Sequence, residues 1–188
     1  KNADFLTNQR FNQSTALSPE SFFLRNDDAH LLQNVIEKKR PDSIRYEKRF
    51  ILEKQTDGIF STDGILVHSP DHKSVLYVYY YRNRFLCLDS NLNLKLTGKT
   101  IDTNSFAKIK VATLNSGKEA FMAKPPLFVN KLAAISGNYI YICSCLKANN
   151  EDADSFRAYS VLDVYNRENG RYAFSFYLPS YQGNKASG

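Results

Sequence analysis

Val75-Leu76-Tyr77-Val78-Tyr79-Tyr80-Tyr81 is apolar or aromatic at every position, and the fold is read outward from it. A strand with one wet face alternates apolar and polar residues; an unbroken run of aliphatic and aromatic side chains marks a strand covered on both faces. Upstream, 65–68 reads as a strand closed by the turn Ser69-Pro70-Asp71-His72. Downstream, Arg82-Asn83 fits a two-residue hairpin loop, 84–89 returns, Ser90-Asn91 turns, and 92–96 alternates like an outer strand. This is a four-stranded antiparallel meander.

The same order recurs over 131–178. A strand at 132–136 meets the tight-turn pair Gly137-Asn138, and 139–146 is again apolar on both faces. A polar loop, 147–155, precedes a strand at 158–165, the turn Asn166-Arg167-Glu168-Asn169-Gly170 and a last strand at 171–178. Doubly covered second strands with more exposed fourth strands fit blades stacked face to face in a propeller. A sandwich needs only one buried face per sheet. The expected fold is therefore all-β, with antiparallel four-stranded meanders of propeller-blade type. At about 40–45 residues per blade, the stretch 45–188 holds about three units. That number is short of a closed propeller: the chain is expected to be a fragment of a larger propeller, with a ring completed by another chain or an open stack of sheets as the alternatives.

Residues 1–44 read as a separate, mixed segment, either a short helix or an extended arm. Ser18-Pro19-Glu20 carries a helix-start pattern. Asp27-Asp28 is placed to cap a second helix with Leu31, Leu32, Val35 and Ile36 on one side, and Pro41 closes the stretch. An extended strand around 21–24 is the alternative. Between this segment and the first meander, Thr56-Asp57-Gly58-Ile59-Phe60 and Thr62-Asp63-Gly64-Ile65-Leu66 form a small repeat in which each Asp-Gly reads as a turn.

Composition agrees with a folded, sheet-rich protein. Hydrophobic residues make up 43% and charged residues 23%, and 12 Tyr and 13 Phe stand beside no Trp. The formal charge is +6, but Lys38-Lys39-Arg40 is the only basic run of three. Without a clustered stripe or a known module, nucleic-acid binding is not expected. Cys87, Cys143 and Cys145 give no even disulfide framework and read as buried thiols. No apolar run approaches the roughly 20 residues of a membrane helix. Lys1-Asn2-Ala3-Asp4 does not read as a signal peptide; the sequence starts without Met and ends Gly183-Asn184-Lys185-Ala186-Ser187-Gly188, so a processed or truncated piece is expected.

Several stretches resemble six-bladed β-propeller proteins (TolB/NHL-like) of the Bacteroidetes cell envelope. They are Thr62-Asp63-Gly64-Ile65-Leu66, Tyr79-Tyr80-Tyr81-Arg82-Asn83-Arg84-Phe85, Thr100-Ile101-Asp102-Thr103, Lys124-Pro125-Pro126 with Val129-Asn130-Lys131, and Ser160-Val161-Leu162-Asp163-Val164-Tyr165 with Ser175-Phe176-Tyr177-Leu178. The likeness covers roughly 45–180 and rests on sheet and turn residues. It implies a periplasmic or cell-surface protein, often membrane-associated through a lipidated N-terminus that is not present here. It supplies no catalytic motif.

Candidate sites are few. Thr97-Gly98-Lys99-Thr100 matches the tail of a P-loop, but Asn93 stands where the motif needs its first Gly and no helical pattern follows. His68, Asp71 and His72 share one turn and have the donor types of a transition-metal site. Asp57, Asp63, Asp89, Asp102 and Asp163 sit near expected strand ends. There, Asp63 and Asp102 are candidates for Ca²⁺ binding or acid–base work, against the plainer reading that strand-end Asp closes a local turn. Tyr77, Tyr79, Tyr80, Tyr81, Arg82 and Arg84 read as core packing rather than a stacking platform. In the polar loop, Asn149, Asn150, Glu151, Asp152 and Asp154 are candidate partner contacts. The expected function is a non-enzymatic scaffold mediating protein–protein interaction in a cell-envelope complex, with no cofactor. Its partner would be another protein or the remainder of a longer propeller chain. The alternative is a carbohydrate-binding or metal-dependent hydrolytic propeller with an axial site, holding Ca²⁺.

Overall fold

The computed structural model describes residues 11–40, 43, 45–71, 73–114 and 119–180. It contains three four-stranded antiparallel sheets, each made from one unbroken stretch of chain with its strands side by side in sequence order. The first comprises β1 (Gln13–Ser18), β2 (Ser21–Asp28), β3 (Gln33–Lys39) and β4 (Tyr46–Ile51). The second comprises β5 (Gly64–His68), β6 (Ser74–Tyr79), β7 (Phe85–Asp89) and β8 (Leu94–Gly98). The third comprises β11 (Asn130–Ser136), β12 (Tyr139–Ser144), β13 (Tyr159–Asn166) and β14 (Tyr172–Pro179). A hairpin, β9 (Val111–Leu114) with β10 (Glu119–Met122), lies between the second and third, and a short helix, α1 (Ala153–Ala158), precedes β13.

Both expected meanders are present, and the all-β character holds. The first forty residues differ from expectation: the helices read there are strands β1 to β3. The signals for a helix start and for a turn overlap. Ser18-Pro19-Glu20-Ser21 joins β1 to β2, with Pro in the turn position it favours and the Ser18 hydroxyl accepting from the Glu20 amide at 3.2 Å. The Asp28 carboxylate does cap amides, those of His30 (2.8 Å) and Leu31 (2.9 Å), but it closes a turn that ends with Leu32 at φ +51. Val35 and Ile36, both β-branched, then lie in an inner strand between β2 and β4.

β6 fulfils the reading of a doubly covered strand. Val75, Tyr77 and Tyr79 pack with Phe23, Ile36 and Leu52 of the first unit. Leu76 and Val78 point the other way, packing with Ile135, Ile140, Ile142 and Tyr165 of the third sheet. Each large apolar side chain so buried contributes about 1.5–3 kcal/mol. The second sheet is thus enclosed between the first and the third, and β5 lies beside both β1 and β11.

Two local expectations are corrected. The strand ends at Tyr79, not Tyr81, and 80–84 form a five-residue connection rather than a two-residue loop, because long-range bonds draw its tip inward. Asn83 Nδ2 donates to the Asp102 carbonyl (2.6 Å), Arg82 Nη2 to the Glu53 carbonyl (2.6 Å), and Asn130 Nδ2 to the Arg82 carbonyl (3.1 Å). Gly64 opens β5 instead of turning; a Cβ there would sit 2.3 Å from the Val78 carbonyl oxygen. Elsewhere the turn chemistry is as read: Gly137 (φ +54) joins β11 to β12, and Gly170 (φ +70) lies between β13 and β14.

Cross-strand pairing assigns the two faces of the third sheet. Ile135, Ile140 and Tyr165 face the second sheet. Tyr141, Leu162, Val164, Phe174, Phe176 and Leu178 share the opposite face. No sheet among the described residues covers that face, and Phe174 (49%), Phe176 (39%) and Leu178 (39%) remain exposed.

Candidate functional site

A cleft of about 650 Å³ opens where the inner face of β13 and β14 extends past the second sheet. One wall is the segment 101–104, held in place from both sides. The Ile101 amide donates to the Tyr165 hydroxyl (3.0 Å), and the Asn83 amide donates to the Asn104 carbonyl (2.8 Å). The opposite wall is the loop 146–151 that leads into α1. The floor carries Asp163, Ser175, Tyr172 and Tyr177; pairing of Asp163 with Ser175 and of Val161 with Tyr177 places these side chains on one face.

Three carboxylates line this cleft: Asp102, Glu151 and Asp163. Asp163 is 3% exposed, and its Oδ1 accepts from the Ser175 hydroxyl at 2.5 Å. Burial raises its carboxyl above the ordinary range against that hydrogen bond, and the nearby charges of Glu151 and Asp102 add to the rise. Asp102 accepts from the Thr100 hydroxyl and from the Asn104 amide (2.8 Å). Glu151 accepts from the Ala148 amide (3.1 Å), and its carboxylate at the Tyr177 hydroxyl raises that phenol. Lys147, also in the lining, donates its ammonium to the carbonyls of Ala148 (3.1 Å) and Glu151 (2.9 Å).

The residues singled out in the sequence fall in different places. Asp102, Asn149, Asn150 and Glu151 come together in the cleft, although they were read as a strand-end site and a partner loop respectively. Asp152 caps α1, accepting from the Ser155 amide at 2.8 Å, and Asp154 forms an exposed ion pair with Arg157 at 3.0 Å. Asp63 is ion-paired with the buried Arg25. His68 Nδ1 lies 2.5 Å from the Thr15 hydroxyl, and Asp71 is ion-paired with Arg167 (3.1 Å) and bonded to Ser69. Asp63 and Asp71 flank the whole length of β5, roughly 16 Å at about 3.3 Å per residue. His72 lies outside the described residues. Among the described residues, no group of three His, Cys, Asp or Glu has the spacing to hold a metal ion.

Asp163 is the site residue the sequence placed least well. It stands in the middle of β13, not at a strand end, flanked by apolar residues. An acid inside an apolar strand is itself a signal, because burying it carries a cost that packing alone does not justify. Asp57 and Asp89 do what strand-end Asp usually does: Asp57 accepts from the Phe60 amide (2.5 Å), and Asp89 from those of Asn91 (2.9 Å) and Asn93 (2.8 Å). No disulfide joins the three cysteines. No helix among the described residues is long and apolar enough to cross a membrane.

No protein-family model matches the sequence, and no curated protein does.

Proposed function

We propose that this chain is a non-enzymatic β-propeller scaffold that mediates protein–protein interaction, in a bacterial cell-envelope complex. The observation that carries the reading is the outer face of the third sheet, which no sheet among the described residues covers and on which Phe174, Phe176 and Leu178 are exposed beside half-buried Tyr141 and Leu162. Monomeric proteins rarely leave a contiguous apolar face of this kind open, and such faces mark interaction surfaces. The occupant is a partner protein presenting an apolar sheet of its own. Continuity argues for it: the second sheet meets the first, and the third meets the second, through aliphatic and aromatic faces of the same type. The blade reading is supported by the adjacency of β5 to both β1 and β11, since the first strands of neighbouring blades lie together around a propeller axis. The envelope setting rests on the resemblance alone.

The test places a photo-crosslinking residue at position 174 or 176 in the protein expressed in its native host. A crosslink to one defined partner, lost on Leu162→Asp, is expected. A monomer that crosslinks to nothing would overturn the reading. A crosslink to a second copy, or to a further stretch of the same polypeptide, would replace the partner with that occupant.

A further inference from the structure

The cleft over Asp163 carries carboxylates where the opposite face is apolar, and the scaffold reading does not use it. We propose that it binds a small organic cation: an amine whose ammonium sits among the carboxylates of Asp102, Glu151 and Asp163 and whose apolar body rests on Tyr172 and Tyr177. Three features support this.

First, the cleft is lined by three carboxylates against one ammonium, that of Lys147. Among the described residues none of the three carboxylates has an ion-pair partner; their bonds go to hydroxyls and backbone amides. The Lys147 ammonium keeps its charge but donates to two carbonyls rather than to these carboxylates, so the lining stays net negative. The chain as a whole is positive, at +6, so its long-range field repels cations and any affinity for one has to come from this local cluster.

Second, Asp163 is a buried side chain with an unmatched oxygen. Its Oδ1 takes the Ser175 hydroxyl, while Oδ2 has no donor among the described residues, although the side chain is 97% buried and lines the cleft. That oxygen is open to the cleft, where a ligand N–H supplies the donor the protein does not. Burial raises the affinity of this carboxyl for a proton, and a cation in the cleft would reverse it.

Third, the spacing selects the kind of cation. The carboxylates do not converge closely enough to hold one small metal ion, whereas a cleft of about 650 Å³ with two tyrosine rings suits a bulkier molecule. Aromatic faces attract ammonium groups and pack against apolar carbon, and both effects strengthen where water is partly excluded.

The experiment is isothermal titration calorimetry of the whole chain with phenethylamine hydrochloride, and separately with 2-phenylethanol, methyl β-glucoside and calcium chloride. The expected result is saturable amine binding at least about tenfold tighter than the alcohol, with Asp163→Asn and Glu151→Gln each weakening it about tenfold or more. Phe174→Ala, on the opposite face, should leave binding unchanged. Folding of each variant is checked by its melting curve. The proposal is overturned by equal affinity for amine and alcohol, by preferential binding of the glucoside, or by calcium binding that Asp163→Asn abolishes. Absence of saturation at 10 mM amine overturns it as well.

Discussion

The guanidinium of Arg82 lies 3.9 Å over the ring centroid of Tyr79, and both side chains are buried. Arg82 also donates to the Glu53 carbonyl, tying the β6–β7 connection to the strand exit of the first sheet. A charged hydrogen bond and a desolvated cation–π contact contribute about 2 kcal/mol each. Arg82→Ala should therefore lower unfolding stability by about 3 kcal/mol in urea titration. Arg82→Lys should recover only part, because an ammonium cannot stack its plane on the ring. A loss below about 0.5 kcal/mol for Arg82→Ala, the range of an ordinary surface substitution, would contradict this role.

Gly98 and Phe85 form a size-matched pair. They face each other across β7 and β8, and a Cβ on Gly98 would stand 2.1 Å from the Phe85 ring. Phe85 has little room to retreat, with Tyr165 at 5.3 Å between centroids on the third sheet. Gly98→Ala should cost about 1–3 kcal/mol by overpacking. Phe85→Leu in the same chain should restore part of that loss, so the double-mutant cycle would be strongly non-additive.

Two aspartates should oppose each other in the pH dependence of stability. Burial would raise the carboxyl of Asp89, but hydrogen bonds from the Asn93 side chain and amide, the Asn91 amide and Lys95 outweigh it and hold the group low. Its contribution is present above the unfolded value near 3.8 and is lost as pH falls further. Asp163 is shifted the other way, so the folded state binds its proton more tightly, and stability is lost as pH rises from about 3.8 through the folded value. Asp89→Asn should therefore flatten the acid limb of the melting curve. Asp163→Asn should melt higher than the parent at pH 7, with the difference vanishing below about pH 4. A lower melting point for Asp163→Asn at pH 7 would mean that its bond with Ser175 outweighs the burial.

Cys87 lies in the core between the second and third sheets, where burial pushes its thiol up to about 11. The thiolate is the reactive form. In a Cys143→Ala, Cys145→Ser chain, Cys87 should resist a disulfide reagent at pH 8 until urea unfolds the protein. Rapid labelling of the native state would show that the two sheets separate readily.

The sheet boundaries were legible because turn chemistry and double burial leave residue-type marks, as in Gly137-Asn138 and in the run at Val75. The first sheet was not, because Ser18-Pro19-Glu20 and Asp27-Asp28 offer capping groups that serve a turn as well as a helix. Partners 11 or more residues away settled the choice, as when Glu37 takes Asn26 (2.7 Å) and Arg49 (2.6 Å) from β2 and β4. The cleft was legible only in pieces. Asp102 and Glu151 looked like separate features, since only the packing of 101–104 against Tyr165 brings them to one place.

Each sheet's construction from one unbroken stretch of chain has a kinetic consequence. Every strand pairs with its sequence neighbour, so forming a sheet closes short loops, apart from the 14-residue connection 145–158 in the third, and the entropic expense of each closure is small. The three sheets can therefore form separately and dock afterwards, in the manner of a linear repeat array. The third is the least protected of them, with the amides of β14 on a strand exposed along its whole length. Hydrogen exchange should open that sheet first, while the enclosed β6 exchanges only when the whole chain unfolds.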